Sequence, residues 1–132
     1  MHVTSIEYVN FYFPAALRDE MQFFYSHVLQ AQACPTLPSN LLQFHLGTQR
    51  IQLTPVPKES GLAPTVRQHV AFNVQGMDRL KQQLTTWDVP FVESHPLAHQ
   101  QQVLVRDPAG NQLEFLDHAP QHQHADAAEV LA

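Results

Sequence analysis

The sequence has a single cysteine, Cys34, among its 132 residues, so no disulfide can close within the chain. Its start, MHVTSIEYVN, carries neither the basic segment nor the apolar run of a secretory signal. A reducing, cytoplasmic setting is therefore expected. No apolar run approaches the roughly 18 residues that a membrane-spanning helix requires, which argues against helical membrane spans. Basic residues are scarce as well, seven Lys and Arg against twelve Asp and Glu for a net charge of −5. They form no cluster, so the electrostatic footprint of a nucleic-acid binder is missing. What remains is a chain of single-domain length, 44% apolar and 14% charged, expected to be soluble and long enough to bury one sizeable core.

Histidine is the residue type in excess, with nine in the chain. His118, His122 and His124 fall in the polar, Ala-rich stretch HAPQHQHADAAEVLA, which has little to bury and reads as a flexible tail over 118–132. Such tails chelate metals adventitiously. His2, His27, His45, His69, His95 and His99 are spread through the rest and are judged by the face each occupies. On that basis His27 reads as a surface residue beside Val28, and His95 and His99 fall in the loop SHPLAHQ.

Residues 5–13, SIEYVNFYF, alternate Val9, Phe11 and Phe13 against Tyr8, Asn10 and Tyr12, the period of a half-buried strand. Leu17, Met21, Phe24 and Val28 then recur at helical spacing, one apolar stripe on an amphipathic helix. Pro35 and Pro38 close it off. LLQFHLGTQRIQLTP reads as a hairpin turning near Gly47. A connector at 56–66, with Pro57, Gly61 and Pro64, has no periodicity. The pattern then restarts. RQHVAFNV is a strand, GMDRLKQQLTTWDV a helix with Met77, Leu80, Leu84 and Trp87 on its stripe, residues 90–93 a short strand, and QQVLVR and QLEFL the arms of a last hairpin around the turn DPAGN. Tyr8-Val9-Asn10-Phe11 lies over His69-Val70-Ala71-Phe72, and Ile51-Gln52-Leu53 over Leu113-Glu114-Phe115, at offsets of 61 and 62 residues. A strand, a helix and antiparallel strands repeated at one period predict duplicated modules, 4–55 and 67–117, within one α+β domain over 1–117.

Each helix must bury its stripe on a sheet, and the face available carries Val9, Phe11, Ile51, Leu53, Val70, Phe72, Leu113 and Phe115. The opposite face then holds Tyr8, Asn10, Tyr12, Gln43, His45, Arg50, Gln52, His69, Asn73, Gln102, Arg106, Gln112 and Glu114. It contains no lysine, whereas a merely solvated sheet face usually carries Lys and Glu. A curved sheet with that composition lines a cleft with hydrogen-bonding groups suited to a small polar ligand. Glu114 stands between Leu113 and Phe115 in a strand, where carboxylates are depleted. His and Glu are ordinary donors to zinc, iron, manganese and nickel, and Gln adds a weaker carbonyl oxygen. Spacing alone leaves three readings open: a metal site, a metal-free ligand cleft, and a plain hydrogen bond between His69 and Glu114 across the sheet.

IEYVNFYF with FFYSHVLQA, FHLGTQRIQL, HVAFNV with MDRL, and above all RDPAGNQLEF together resemble the vicinal oxygen chelate superfamily, which includes glyoxalases, bleomycin-resistance proteins, extradiol dioxygenases and fosfomycin-modifying enzymes. The likeness spans residues 5–117. It implies paired βαβββ modules whose curled mixed sheets form a cleft, and a divalent metal (Zn, Ni, Mn or Fe) held by residues at the positions of Tyr8, Gln52, His69 and Glu114. His69 and Glu114 match the pattern. Tyr8 stands where His is usual, and Gln52 where His or Glu is usual. Gln52 cannot take up a proton, so the proton-shuttling carboxylate that glyoxalase-type chemistry needs would be Glu114. The resemblance thus implies a metal-dependent isomerase, lyase or dioxygenase type of enzyme acting on adjacent oxygens. His69, Glu114 and Gln52 would be ligands, and Glu114 and Tyr8 catalytic groups. Tyr8, Asn10, Tyr12, His45, Asn73 and Gln102 would contact substrate. The alternative is a metal-free, ligand-sequestering protein of bleomycin-resistance type. A homodimer is implied in either case.

Overall fold

The computed structural model describes residues 1–35, 40–57, 68–97 and 100–118. The expectations for Pro38, His99, most of the connector and the tail with His122 and His124 lie outside the described residues. The chain divides into two compact units, residues 1–68 with 107–111, and residues 69–106 with 112–132.

The first unit opens with strand β1 (Val9–Pro14), then a 3-10 turn (Ala15–Leu17), helix α1 (Arg18–Phe23) and a wide π turn (Phe24–Val28). Strands β2 (Gln32–Ala33), β3 (Leu42–Leu46) and β4 (Gln49–Val56) follow. They form a four-stranded sheet in the order β1-β4-β3-β2, with β1 parallel to β4 and the other pairs antiparallel. The second unit repeats this plan. It comprises β5 (His69–Asn73), helix α2 (Met77–Thr86), β6 (Val92–Ser94), β7 (Gln101–Arg106) and β8 (Gln112–Asp117), with sheet order β5-β8-β7-β6. The fold is α+β, with two open mixed sheets. The internal repeat holds at the level of register: Val9 pairs with Ile51 and Phe11 with Leu53, as Val70 pairs with Leu113 and Phe72 with Phe115. No described helix is long and apolar enough to cross a membrane.

Alternation along the strands decides which side chains are buried. Phe11, Phe13, Phe44, Ile51 and Leu53 are buried in the first unit, and Val103, Val105, Leu113 and Phe115 in the second, each flanked by half-buried or exposed neighbours. Each large apolar side chain so buried contributes about 1.5–3 kcal/mol relative to exposure. On the edge strand β5, Val70 and Phe72 are only half-buried, with Phe72 stacked on Phe115 at 5.5 Å between ring centroids.

Several boundaries differ from expectation. Ordered pairing begins at Val9, and residues 1–8 are exposed ahead of it. The short strand begins at Val92 and not at Pro90, because a proline has no N–H to give a ladder. Trp87 does not join the helical stripe. Helix α2 stops at Thr86, Asp88 turns left-handed at φ 59°, and the indole is left 42% exposed, so the buried stripe ends at Leu84. In the first helical segment the π turn widens the apolar side. Tyr25, absent from the expected stripe, is fully buried together with Met21, Phe24 and Val28. Its ring stacks on Phe44, with centroids 5.8 Å apart.

The turn between β7 and β8 groups with the first unit. Asp107 builds it: Oδ1 accepts the N–H groups of Ala109 and Asn111, both at 2.9 Å, and Gly110 takes the left-handed φ of 89° that closes the loop. Oδ2 accepts the Tyr25 hydroxyl at 2.8 Å and the Asn111 amide at 3.0 Å. Burial pushes the Asp107 carboxyl up from its ordinary value, against the opposing pull of its hydrogen bonds from Asn111 and Tyr25. Burial, and secondarily the Asp107 charge, pushes the Tyr25 hydroxyl well above its ordinary value, so it stays protonated and donates.

Candidate functional site

In the second unit the polar face of β5, β7 and β8 brings His69, Gln102 and Glu114 together. Glu114 lies level with Ala71 on β5 and with Leu104 on β7. Ala71 carries only a methyl group, and His69, two residues earlier on the same face, reaches the carboxylate instead: Nε2 of His69 meets Oε2 of Glu114. The other oxygen, Oε1, accepts the Gln102 side-chain N–H. An ionised carboxylate only accepts, which fixes the Gln102 amide with nitrogen inward and its Oε1 free to accept the Ser94 hydroxyl at 3.1 Å. Ser94 thus donates to Gln102 and Gln102 to Glu114, on whose carboxylate the Gln102 and His69 contacts converge. The His69 side chain is 55% exposed and that of Glu114 is 19% exposed. Pairs this open to water add little stability, so the arrangement is not explained as a fold-holding device.

In the first unit the polar face carries a lattice of neutral amides. Gln43 donates to Gln52 Oε1 at 3.0 Å, Gln52 donates to Asn10 Oδ1 at 3.1 Å, and the Thr54 hydroxyl donates to the same oxygen at 2.7 Å. Asn10 sits level with Gln52 in the β1–β4 ladder, the place that Ala71 and Glu114 occupy in the second unit. His45, half-buried on β3, lies level with Arg50, whose guanidinium pairs with Glu7 at 3.0 Å. Tyr8 precedes β1 at 43% exposure and Tyr12 points outward from it at 49%.

Of the expected metal positions, then, His69 and Glu114 meet in the second unit, while Gln52 and Tyr8 belong to the first. Gln102, expected as a substrate contact, bonds the Glu114 carboxylate. Asn10 and Gln52 bond each other, and Asn73 ends β5 exposed. His27 is exposed, as expected, and stacks on Phe23 at 4.7 Å. Sequence reasoning missed Thr54, although its parity with Arg50 and Gln52 was available. It also missed Ser94, whose strand is too short to carry a periodic signal.

Among the described residues no set of three or more His, Cys, Asp or Glu side chains comes together as a metal site. The donor chemistry of His69 and Glu114 nevertheless fits a divalent cation. An imidazole nitrogen and a carboxylate oxygen are both ordinary donors to such cations, and here the two stand side by side. Gln102 holds the second carboxylate oxygen aside, leaving Glu114 to offer Oε2 alone.

The sequence pattern of the Glyoxalase/Bleomycin resistance protein/Dioxygenase superfamily matches residues 19–115. Among solved structures, one described as a glyoxalase family protein from Bacillus anthracis is 25% identical, with a TM-score of 0.76 over 89% of this chain and 97% of that one. Lactoylglutathione lyase from Agrobacterium tumefaciens is 22% identical, with a TM-score of 0.69 over 89% and 96%. The fosfomycin resistance protein of Mesorhizobium loti is 14% identical, with a TM-score of 0.64 over 88% and 93%. The last two likenesses show the fold alone. No curated protein matches the sequence at a significant level.

Proposed function

Because the chain belongs to the Glyoxalase/Bleomycin resistance protein/Dioxygenase superfamily, we propose that it is a divalent-metal-dependent enzyme acting on a small molecule with two neighbouring oxygens, by isomerase, lyase or dioxygenase chemistry. The observation that carries this reading is the direct meeting of His69 Nε2 and Glu114 Oε2 on an exposed sheet face. These two residues hold the metal. A divalent metal held there would supply Lewis-acid polarisation of the substrate's adjacent oxygens. Gln102, anchored by Ser94, orients the Glu114 carboxylate. Glu114 is the one carboxylate in this cluster and the group able to take up a proton, at Oε2. Gln52 lacks that capacity, and its amide is already engaged at both ends by Gln43 and Asn10. The resemblance assigns Tyr8 of the first unit to a ligand or acid/base role, Gln52 of the same unit to a ligand role, and Asn10, Tyr12, His45 and Asn73 to substrate contact.

Metal content of protein purified without an affinity tag tests the reading. A variant with His118→Ala, His122→Ala and His124→Ala is expected to retain its metal, and adding His69→Ala is expected to remove it. Metal content indifferent to His69→Ala would refute the site. The amide lattice of Asn10, Gln43, Gln52 and Thr54 favours a second reading, a metal-free protein that sequesters a small polar molecule. That reading predicts ligand-induced thermal shifts in metal-stripped protein, and chelation that abolishes every such shift counts against it.

A further inference from the structure

Strand β1 is an edge of its sheet, and the outward N–H and C=O groups of an edge strand need partners. Here side chains replace the missing strand. Gln68 accepts the Tyr12 N–H on Oε1 at 3.0 Å and donates from Nε2 to the Asn10 carbonyl at 2.7 Å, gripping both groups as a neighbouring peptide would. Asn111 donates to the Tyr12 carbonyl at 3.2 Å, and its Oδ1 accepts the backbone N–H of Gln68 at 3.1 Å. Asn111 is in turn fixed by Asp107. Both ends of the Gln68 amide and its backbone N–H are therefore committed.

The residue after Gln68 is His69, and the residue after Asn111 is Gln112, the partner of His69 on the first rung of the β5–β8 ladder. The Gln68–Asn111 bond thus lies one step before that rung. Register matters here more than elsewhere in the sheet. His69 and Glu114 share a face because Ala71 is level with Glu114. A slip of one residue would bring Val70 or Phe72 level with it and turn the His69 row to the opposite face. On an edge strand with half-buried Val70 and Phe72, apolar burial specifies the register only weakly. We propose that Gln68 is a positioning residue for the His69–Glu114 pair: held through its side chain and its N–H, it sets the rung from which β5 runs along β8. This deepens the reading of His69 and Glu114 as the site, and rests on it.

The test replaces Gln68 with methionine, similar in length and lacking the amide, in the full chain. Three readouts are taken: amide exchange across β5 and β8 against the β3–β4 ladder, the rate of His69 carbethoxylation by diethyl pyrocarbonate followed by peptide mass, and zinc affinity. Gln68→Met is expected to speed exchange in β5 and carbethoxylation of His69 several-fold. It should weaken zinc binding about tenfold, in the range found for residues that orient a ligand, with β3–β4 exchange unchanged. Wild-type His69 reactivity and wild-type β5 exchange in a folded variant would overturn the proposal. If zinc binding is absent from wild type while His69 reactivity still rises in the variant, the positioning role stands and the metal reading falls. Should Gln68→Met not fold, Gln68→Glu, which keeps the acceptor for Tyr12 and loses the donor to Asn10, is read by the same criteria.

Discussion

Glu114 is a carboxylate inside an apolar strand, and its two oxygens have different duties. Oε1 is held by Gln102 and Oε2 faces His69. Removing the first contact should leave the second in place but less well aimed, so Gln102→Leu is expected to weaken divalent-metal affinity by about 10–100-fold without unfolding the protein, as read by calorimetric titration. Tyr25 makes the opposite kind of contact, fully buried and structural. Its hydroxyl donates to the buried Asp107 carboxylate at 2.8 Å, and hydrogen bonds to charged groups contribute about 1.5–3 kcal/mol. Tyr25→Phe should lower unfolding free energy by about that amount in urea titrations, with little effect on metal content. The Tyr25 hydroxyl is raised in the folded state, so its contribution is complete below the unfolded value near about 10 and is lost as pH rises beyond it. Wild type should therefore lose stability above that pH more steeply than Tyr25→Phe.

At the scale of elements, the second helix shows how an end is fixed from a distance. Gly76 has no side chain with which to cap α2, and Asp117 at the end of β8 accepts the Met77 N–H instead, at 3.3 Å. Asp117→Ala is expected to cost about 1 kcal/mol, typical of a lost N-cap, seen as faster amide exchange in the first turn of α2. The same distinction between local and distant causes explains what the sequence made legible. Strand parity is local, so the buried set of Phe11, Ile51, Leu53, Leu113 and Phe115 and the polar set with Asn10, Gln52 and Glu114 could be read from alternation, and the two-module plan from the repeat. Tyr25 was missed because its partner Asp107 lies 82 residues away, and a π turn leaves no period to detect. Trp87 was misassigned because helical spacing continues to it, whereas the left-handed turn at Asp88 ends the helix first. Gln68 carried no signal, since an amide that substitutes for a strand looks like any loop glutamine.

Over the whole molecule, the repeated module carries two unlike polar faces: neutral amides on the first sheet, an imidazole and a carboxylate on the second. The His69–Glu114 pair thus has no counterpart at the matching rung of the first sheet, where Asn10 stands level with Gln52, while the DPAGN turn serves architecture through Asp107 and Asn111. The turn also shapes the response to acid. The Asp107 carboxyl is raised by burial, so its protonated form favours folding. That stability is complete below the ordinary value near about 3.9 and is lost as pH rises through the folded value. The stability gap between wild type and Asp107→Asn should accordingly narrow as pH rises from acid toward neutral, measured by urea unfolding at a series of pH values. The central claim, a divalent cation held by His69 and Glu114, is tested most directly by cobalt(II) titration followed by visible absorption, in protein carrying His118→Ala, His122→Ala and His124→Ala. The account predicts ligand-field bands that saturate at about one equivalent per chain, weaken with Glu114→Gln and disappear with His69→Ala. Bands that are missing from the start, or that persist unchanged in His69→Ala, would contradict it.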